Sequence, residues 1–210
     1  MNNLLFAKWN IPNINKELAL NEIKKIPEKF WFYEPYRNTF MLPIFTKEGK
    51  IGYTGTSNYN FGNFNWTPFA PNIIKTYCED VLFKHLGQKT RIVILRTSSN
   101  KANYEHIDCQ PQHQFSRQHK FRIILQGKTS TLYFIKKQGN QYVPEVDSPF
   151  IMDGSWPHGM INVGHETKYT LTAGAPWTGL DVYENLDILM SRDNEELPIN
   201  YEKYYKKHEN

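Results

Sequence analysis

Arg91-Ile92-Val93-Ile94-Leu95-Arg96 is short, β-branched and apolar, and it follows a glycine stop at Gly87. Such a run reads as a strand buried on at least one face. Phe121-Arg122-Ile123-Ile124-Leu125 repeats the pattern and stops at Gln126-Gly127. Thr131-Leu132-Tyr133-Phe134-Ile135 comes next, then a polar turn around Gly139-Asn140. Phe150-Ile151-Met152, Gly159-Met160-Ile161-Asn162 and Tyr169-Thr170-Leu171-Thr172 complete the series. Many short strands punctuated by turns predict a mainly β sandwich or barrel.

Upstream the pattern is mixed. Leu4 to Trp9 reads as a first strand. Glu17 to Ile26 carries apolar residues at Leu18, Leu20, Ile23 and Ile26, a helical spacing that ends at Pro27. Ile73, Ile74, Tyr77, Val81, Leu82 and His85 share one helical face, with Pro71 before them and Gly87 as the C-terminal stop. Residues 30–66 read as short strands and long loops. Their aromatic clusters, Phe30-Trp31-Phe32-Tyr33 and Phe61 to Trp66, suit a β-rich core or the wall of a substrate pocket. Residues 191–210 are charged and tyrosine-rich and read as a peripheral helix or tail.

Composition narrows the class. Of 210 residues, 40% are hydrophobic and 22% charged, which fits a globular chain and excludes a disordered one. No repeat or linker divides the chain, so 1–210 is expected to form one domain. A net charge of +4, thinly spread, argues against a nucleic-acid partner. Cys78 and Cys109 form no CxxC, so neither a disulfide framework nor a cysteine zinc site is expected, and a reducing cytoplasm is the simplest compartment. No apolar run is long enough for a membrane span, and the N-terminus lacks a signal-peptide pattern.

The chemistry concentrates in His106-Ile107-Asp108 and in His158. Residues two apart on an extended segment share a face, so His-x-Asp offers an imidazole and a carboxylate together. These two were expected at a strand start, after the small polar loop from Thr97 to Asn103. A distant second histidine completes two histidines and one carboxylate, the ligand set of non-haem Fe(II) oxygenases with open positions. Either half alone also suits a solvated surface pair or a turn histidine. Lys168, ten residues after His158 on the next strand, can return past a metal and pair with the distal carboxylate of a bound diacid. Arg117-Gln118-His119 places a cation and an imidazole on one face of the following strand. Arg117 and Arg122 compete with Lys168 for that diacid carboxylate, Arg117 being favoured because it shares a face with His119. Cys109 is expected to point away from the metal because it neighbours Asp108.

From Arg91 to Pro176 the chain resembles the catalytic core of the aspartyl/asparaginyl β-hydroxylase-like branch of Fe(II)/2-oxoglutarate oxygenases, which includes bacterial proline cis-hydroxylases. The matching pieces are His106-x-Asp108, Arg117-x-His119 before an apolar strand, Phe150-x-x-Asp153-x-Ser155-x-x-His158, then Asn162 and Lys168. The resemblance implies a double-stranded β-helix, the jelly roll of cupin-like proteins, with flanking α-helices. It implies Fe(II) on His106, Asp108 and His158, and 2-oxoglutarate as co-substrate. Lys168 stands where this branch usually has Arg, and Arg117 and His119 match positions that contact 2-oxoglutarate in relatives. Vertebrate-type β-hydroxylases lack the ligand carboxylate, so Asp108 brings the chain closer to the proline-hydroxylase pattern. Residues 91–176 are then the catalytic core, 1–90 shape the substrate site and 177–210 are peripheral.

The reading is a cytoplasmic dioxygenase that uses O2 and 2-oxoglutarate to hydroxylate an amino-acid side chain, free or in a peptide. Two alternatives stand beside it. One is a nucleic-acid demethylase on the same fold, which needs a basic face and a flipped-base pocket. The other is a non-catalytic jelly-roll binding or structural protein.

Overall fold

The computed structural model describes residues 4–35, 37–51, 63–108, 119–174 and 185–192. The chain begins with β1 (Leu4–Trp9), α1 (Lys16–Ile23), β2 (Phe32–Glu34), β3 (Thr39–Lys47) and β4 (Phe64–Trp66). Then come α2 (Asn72–Tyr77), a π-helical turn (Cys78–Leu82) and α3 (Phe83–Leu86). The remaining strands are β5 (Arg91–Thr97), β6 (Lys101–His106), β7 (His119–Gln126), β8 (Leu132–Lys136), β9 (Gly139–Tyr142), β10 (Phe150–Asp153), β11 (His158–Asn162), β12 (Lys168–Gly174) and β13 (Leu186–Ser191).

They form two antiparallel sheets. The larger runs β13-β1-β10-β7-β12-β5-β3-β2, with β4 on β3, and the smaller runs β6-β11-β8-β9. Alternation along β7 decides what lies between them. Phe121, Ile123 and Leu125 join Ile23, Ile74, Leu82 and Phe83 of the helical segments in the outer core. Ile124 points the other way and packs with Leu132 and Phe134 of the small sheet, and with Phe6, Phe150 and Met152. The two sheets therefore enclose an inner core while helices cover the large sheet's other face. This is the double-stranded β-helix with flanking helices that the family resemblance implies.

Trp31 and Phe45 belong to the outer core, and Phe30, Phe40, Phe64 and Trp66 pack against it. Phe45 packs on Phe64, Trp66 and Phe83 with ring centroids 5.6, 4.4 and 5.3 Å away. β3 is longer than the short strands expected there, and its ladder with β5 slips between Pro43 and Phe45, where proline has no N–H to donate. α1 is capped by Asn15, whose side chain accepts from Leu18 N–H, and ends at Ile23, three residues before the expected stop. Gly87 closes α3 at φ +66°, as expected of a C-terminal glycine.

Other local expectations change. The polar turn falls before Gly139, and Gly139–Tyr142 is a strand. The loop expected from Thr97 to Asn103 is mostly strand, so His106 ends β6 and does not begin a strand. β13 was not expected. It pairs with β1, although the exposed side chains of Asp187, Ile188 and Leu189 give it no clean alternation. Residues 193–210, the rest of the expected peripheral segment, lie outside the described residues.

Register places the inner-facing residues in rungs, because directly opposed residues share a face. Across β5, β12 and β7 one rung holds Arg91, Gly174 and Lys120, and the next holds Val93, Thr172 and Arg122. Leu95, Thr170 and Ile124 follow, and Lys168 pairs with Thr97 at the far end. In the small sheet His158 opposes His106 and Phe134, and Met160 opposes Leu132. The Asn162 amide donates to the carbonyls of Thr97 and Ser98, both at 3.1 Å, which ties the end of β11 to the Lys168 end of the large sheet.

Candidate metal centre

His106 and His158 are opposed across the β6–β11 ladder, and their rings lie 4.4 Å apart between centroids. Asp108 follows β6 after one residue, and its N–H donates to the Gly154 carbonyl at 2.8 Å. That bond ties the carboxylate to the turn that leads into His158. One ligand atom from each of the three residues lies within 4.8 Å of the others. The Nε2 atoms of His106 and His158 lie 3.5 and 3.6 Å from the Asp108 carboxylate oxygens.

Local hydrogen bonds set the histidine tautomers. His106 Nδ1 lies 2.7 Å from the Tyr104 carbonyl, and His158 Nδ1 lies 2.8 Å from the Trp156 carbonyl. A carbonyl only accepts, so both Nδ1 atoms carry a proton and both rings turn Nε2 toward Asp108. Backbone-oriented imidazoles of this kind are the usual arrangement of metal-binding histidines. Burial, then the neighbouring His106, hold the His158 pKa well below its ordinary value, so the ring stays neutral.

Asp108 is charged. Burial opposes ionisation, but Arg37 and Lys120 outweigh it and hold the carboxyl well below the usual carboxylate range. Arg37 Nη2 donates to Asp108 Oδ1 at 2.7 Å, and Arg122 Nη2 lies 3.8 Å from Oδ2. Asp108 Oδ2 and His158 Nε2 are buried with no hydrogen-bond partner. Buried polar atoms are nearly always satisfied, and leaving one bare costs about 1–3 kcal/mol. Two imidazoles and one carboxylate, with bare ligand atoms of Asp108 and His158 converging on one point, fit a divalent ion such as Fe(II).

A cavity leads away from this point, lined by Arg37, Leu95, Asn103, Arg122, Leu132, Met160 and the two histidines. Lys168 is not among its lining residues and is almost fully buried. Its Nζ donates to the Lys128 carbonyl at 2.5 Å and to the Thr131 hydroxyl. Burial and then Arg122 push its pKa down to about 7, against the opposing pull of Glu145. A second clasp holds the turn before His158. Asp153 accepts from the Ser155 N–H at 2.9 Å and from its hydroxyl at 2.6 Å, and Arg192 donates to Asp153 and Ser155.

The structure thus brings together His106, Asp108 and His158, while Lys168 lies two residues along β12 from Thr170, whose partner Leu95 lines their cavity. It does not bring His119 to that cavity. His119 shares the outer-facing alternation of Phe121, while Lys120 and Arg122 point inward. Arg117 and Cys109 lie outside the described residues. Sequence reading missed Arg37 and Lys120. The one signal for Lys120 was its period-two spacing from Arg122.

No protein-family profile matches the chain, and no curated protein is similar to it in sequence. Among solved structures it is similar to a prolyl-4-hydroxylase of Pseudomonas putida, with a TM-score of 0.51 and 12% identity over 81% of this chain and 92% of that one. It is also similar to a prolyl hydroxylase of Trichoplax adhaerens solved with a hypoxia-inducible-factor peptide, with a TM-score of 0.50 and 9% identity over 81% and 83%. A 2OG-Fe(II) oxygenase-family protein of Burkholderia pseudomallei gives 0.47 and 13% over 80% and 82%. At such identities the likeness is one of fold alone, the double-stranded β-helix. Among the described residues, no helix is long and apolar enough to cross a membrane.

Proposed function

We propose that this chain is an Fe(II)/2-oxoglutarate-dependent dioxygenase that hydroxylates an amino-acid side chain, free or in a peptide. The observation that carries the reading is the pair of bare, buried donors, Asp108 Oδ2 and His158 Nε2, beside His106 at the mouth of a cavity. When bound, Fe(II) and 2-oxoglutarate supply the activation of O2 that hydroxylates a C–H bond, with release of succinate and CO2.

The chain's own residues then have separate tasks. His106, Asp108 and His158 hold the ion. Arg37 occupies Asp108 Oδ1 and so leaves Oδ2 for the metal. Lys168 supplies a buried cation for the far carboxylate of 2-oxoglutarate, with the Thr131 hydroxyl beside it. Leu95, Leu132 and Met160 give the cavity apolar walls that limit water. The ordered set from His106 to Lys168 supports the aspartyl/asparaginyl β-hydroxylase-like branch, with Asp108 as its proline-hydroxylase feature.

Succinate formation is the test. Purified protein with Fe(II), 2-oxoglutarate and O2 should form succinate slowly without any prime substrate, and His158→Ala should form none. Equal succinate from both proteins would remove the reading.

A further inference from the structure

One carboxylate, Asp108, faces more positive charge than it can balance. Among the described residues, Arg37 donates to its Oδ1 at 2.7 Å, Arg122 Nη2 stands 3.8 Å from its Oδ2, and Lys120 adds to the field on it. A divalent ion on Oδ2 brings two further charges. Like charges crowded in a buried site are unfavourable unless an anion joins them.

The two arginines differ. Arg37 is hydrogen-bonded to Asp108. Arg122 is not: 3.8 Å is beyond hydrogen-bond reach, and its Nε is buried with no partner. A guanidinium has five N–H donors and stays charged, so a bare one with its side chain only 12% exposed is costly. Arg122 also lines the cavity at the metal site. Its field reaches two ways. Burial is the first cause of the low pKa of both His158 and Lys168, and Arg122 adds to each.

Resting on the oxygenase reading above, we propose that Arg122 makes metal binding conditional on a carboxylate. With the cavity empty, its charge stands beside Asp108 Oδ2 and opposes a divalent ion there. A ligand carboxylate beside the ion takes the bare N–H donors and cancels that charge. Ion and carboxylate then bind cooperatively, each raising the other's affinity by the same factor. The carboxylate concerned is the one next to the oxo group of a 2-oxo acid, and the far one is left to Lys168. Chelation alone couples ion and acid, so Arg122 accounts for the part of the coupling that vanishes with its charge.

Calorimetry on the full chain tests this. Mn(II) affinity is measured alone, with saturating 2-oxoglutarate, and with pyruvate, a 2-oxo acid that has no far carboxylate. Both acids should raise it, by roughly 5- to 150-fold for a coupling of ordinary size. Pyruvate should do so equally in Lys168→Ala. Arg122→Gln should bind Mn(II) alone more tightly than the native chain, and the factor added by either acid should shrink by roughly 5-fold or more. Arg122→Lys, which keeps the charge, should bind Mn(II) alone as the native chain does. Arg122→Met serves if the glutamine variant fails to fold, because an apolar side chain of similar volume in place of a buried charge is often neutral. If removing the charge weakens Mn(II) binding or leaves it unchanged, or the factor stays the same, Arg122 is structural and the oxygenase reading stands. If the native chain binds no Mn(II) with or without 2-oxoglutarate, both fall.

Discussion

His106 and His158 project from one rung of the β6–β11 ladder, and each is aimed by its own i−2 carbonyl. The pairing makes the metal centre a property of sheet register. A one-residue slip of β11 against β6 would turn one imidazole to the other face. The two ligands are fifty-two residues apart in sequence, yet the closing of the barrel fixes their separation.

Metal binding should stabilise the fold. The apo protein carries bare buried donors at Asp108 and His158, and a divalent ion satisfies both. At a hundredfold excess over its dissociation constant, an ion bound only by the native state adds about 2.7 kcal/mol. Calorimetry should show a higher unfolding temperature with Mn(II), reversed by chelator. His106→Ala and His158→Ala should show no such shift.

The parts of the site legible in sequence were those carried by short spacing. His106-x-Asp108, the ordered distance to His158 and the return to Lys168 follow from strand alternation and hairpin length. Arg37 was not legible because it meets Asp108 across 71 positions of chain, and no local period predicts such a contact. On β7 the face was misjudged. Phe121, Ile123 and Leu125 fill the outer core while Ile124 fills the inner one, so both faces of the strand are apolar. With no polar face to mark the inside, Arg117 was favoured over Arg122, and Lys120 went unnamed. β13 escaped for the opposite reason, since its exposed middle lacks any core signal.

Arg37 should matter more to the apo protein than to the loaded one. The Asp108 side chain is 1% exposed and that of Arg37 15%, so removing the arginine leaves a buried carboxylate without its closest cation. Arg37→Ala should lower apo stability by about 2–4 kcal/mol, near the range for breaking a buried pair. Mn(II) should restore much of that loss, because the ion supplies the missing positive charge. Denaturant unfolding with and without Mn(II) measures both. An equal loss in the two states would show that Arg37 acts through packing alone.

Arg192 should act on the metal without touching it. It clasps Asp153 and Ser155 and lies over the Trp156 ring at 5.3 Å. The same turn supplies the Gly154 carbonyl to Asp108 and the Trp156 carbonyl to His158. Arg192→Ala should therefore weaken Mn(II) affinity by about tenfold, within the range seen when outer partners of ligands are removed. Arg192→Lys should recover part of it. A variant that loses stability but keeps full Mn(II) affinity would confine Arg192 to holding β13.

Lys168 should couple 2-oxoglutarate binding to proton uptake. In the free protein burial and Arg122 bring its pKa to about 7, with Glu145 opposing. At pH 8 such a lysine is mostly neutral. A carboxylate placed against Nζ favours the charged form and moves the pKa back toward its ordinary value of 10.5. Binding at pH 8 should then take up close to ~1 proton, and below pH 6 almost none. Affinity should fall as pH rises above 7, by at most about tenfold per pH unit, because protonation becomes part of the binding cost. The same depressed pKa lowers apo stability. The unfolded chain holds this proton up to pH 10.5 and the folded chain releases it near 7, so stability should rise between these values relative to Lys168→Met. Calorimetry in two buffers of different ionisation enthalpy counts the protons taken up with 2-oxoglutarate. Lys168→Arg should bind 2-oxoglutarate with no comparable uptake, since a guanidinium stays charged throughout. Lys168→Ala should lose roughly 30- to 100-fold in affinity while keeping Mn(II). Unchanged 2-oxoglutarate affinity in Lys168→Ala, with a large loss in Arg122→Gln, would move the anchor from β12 to β7.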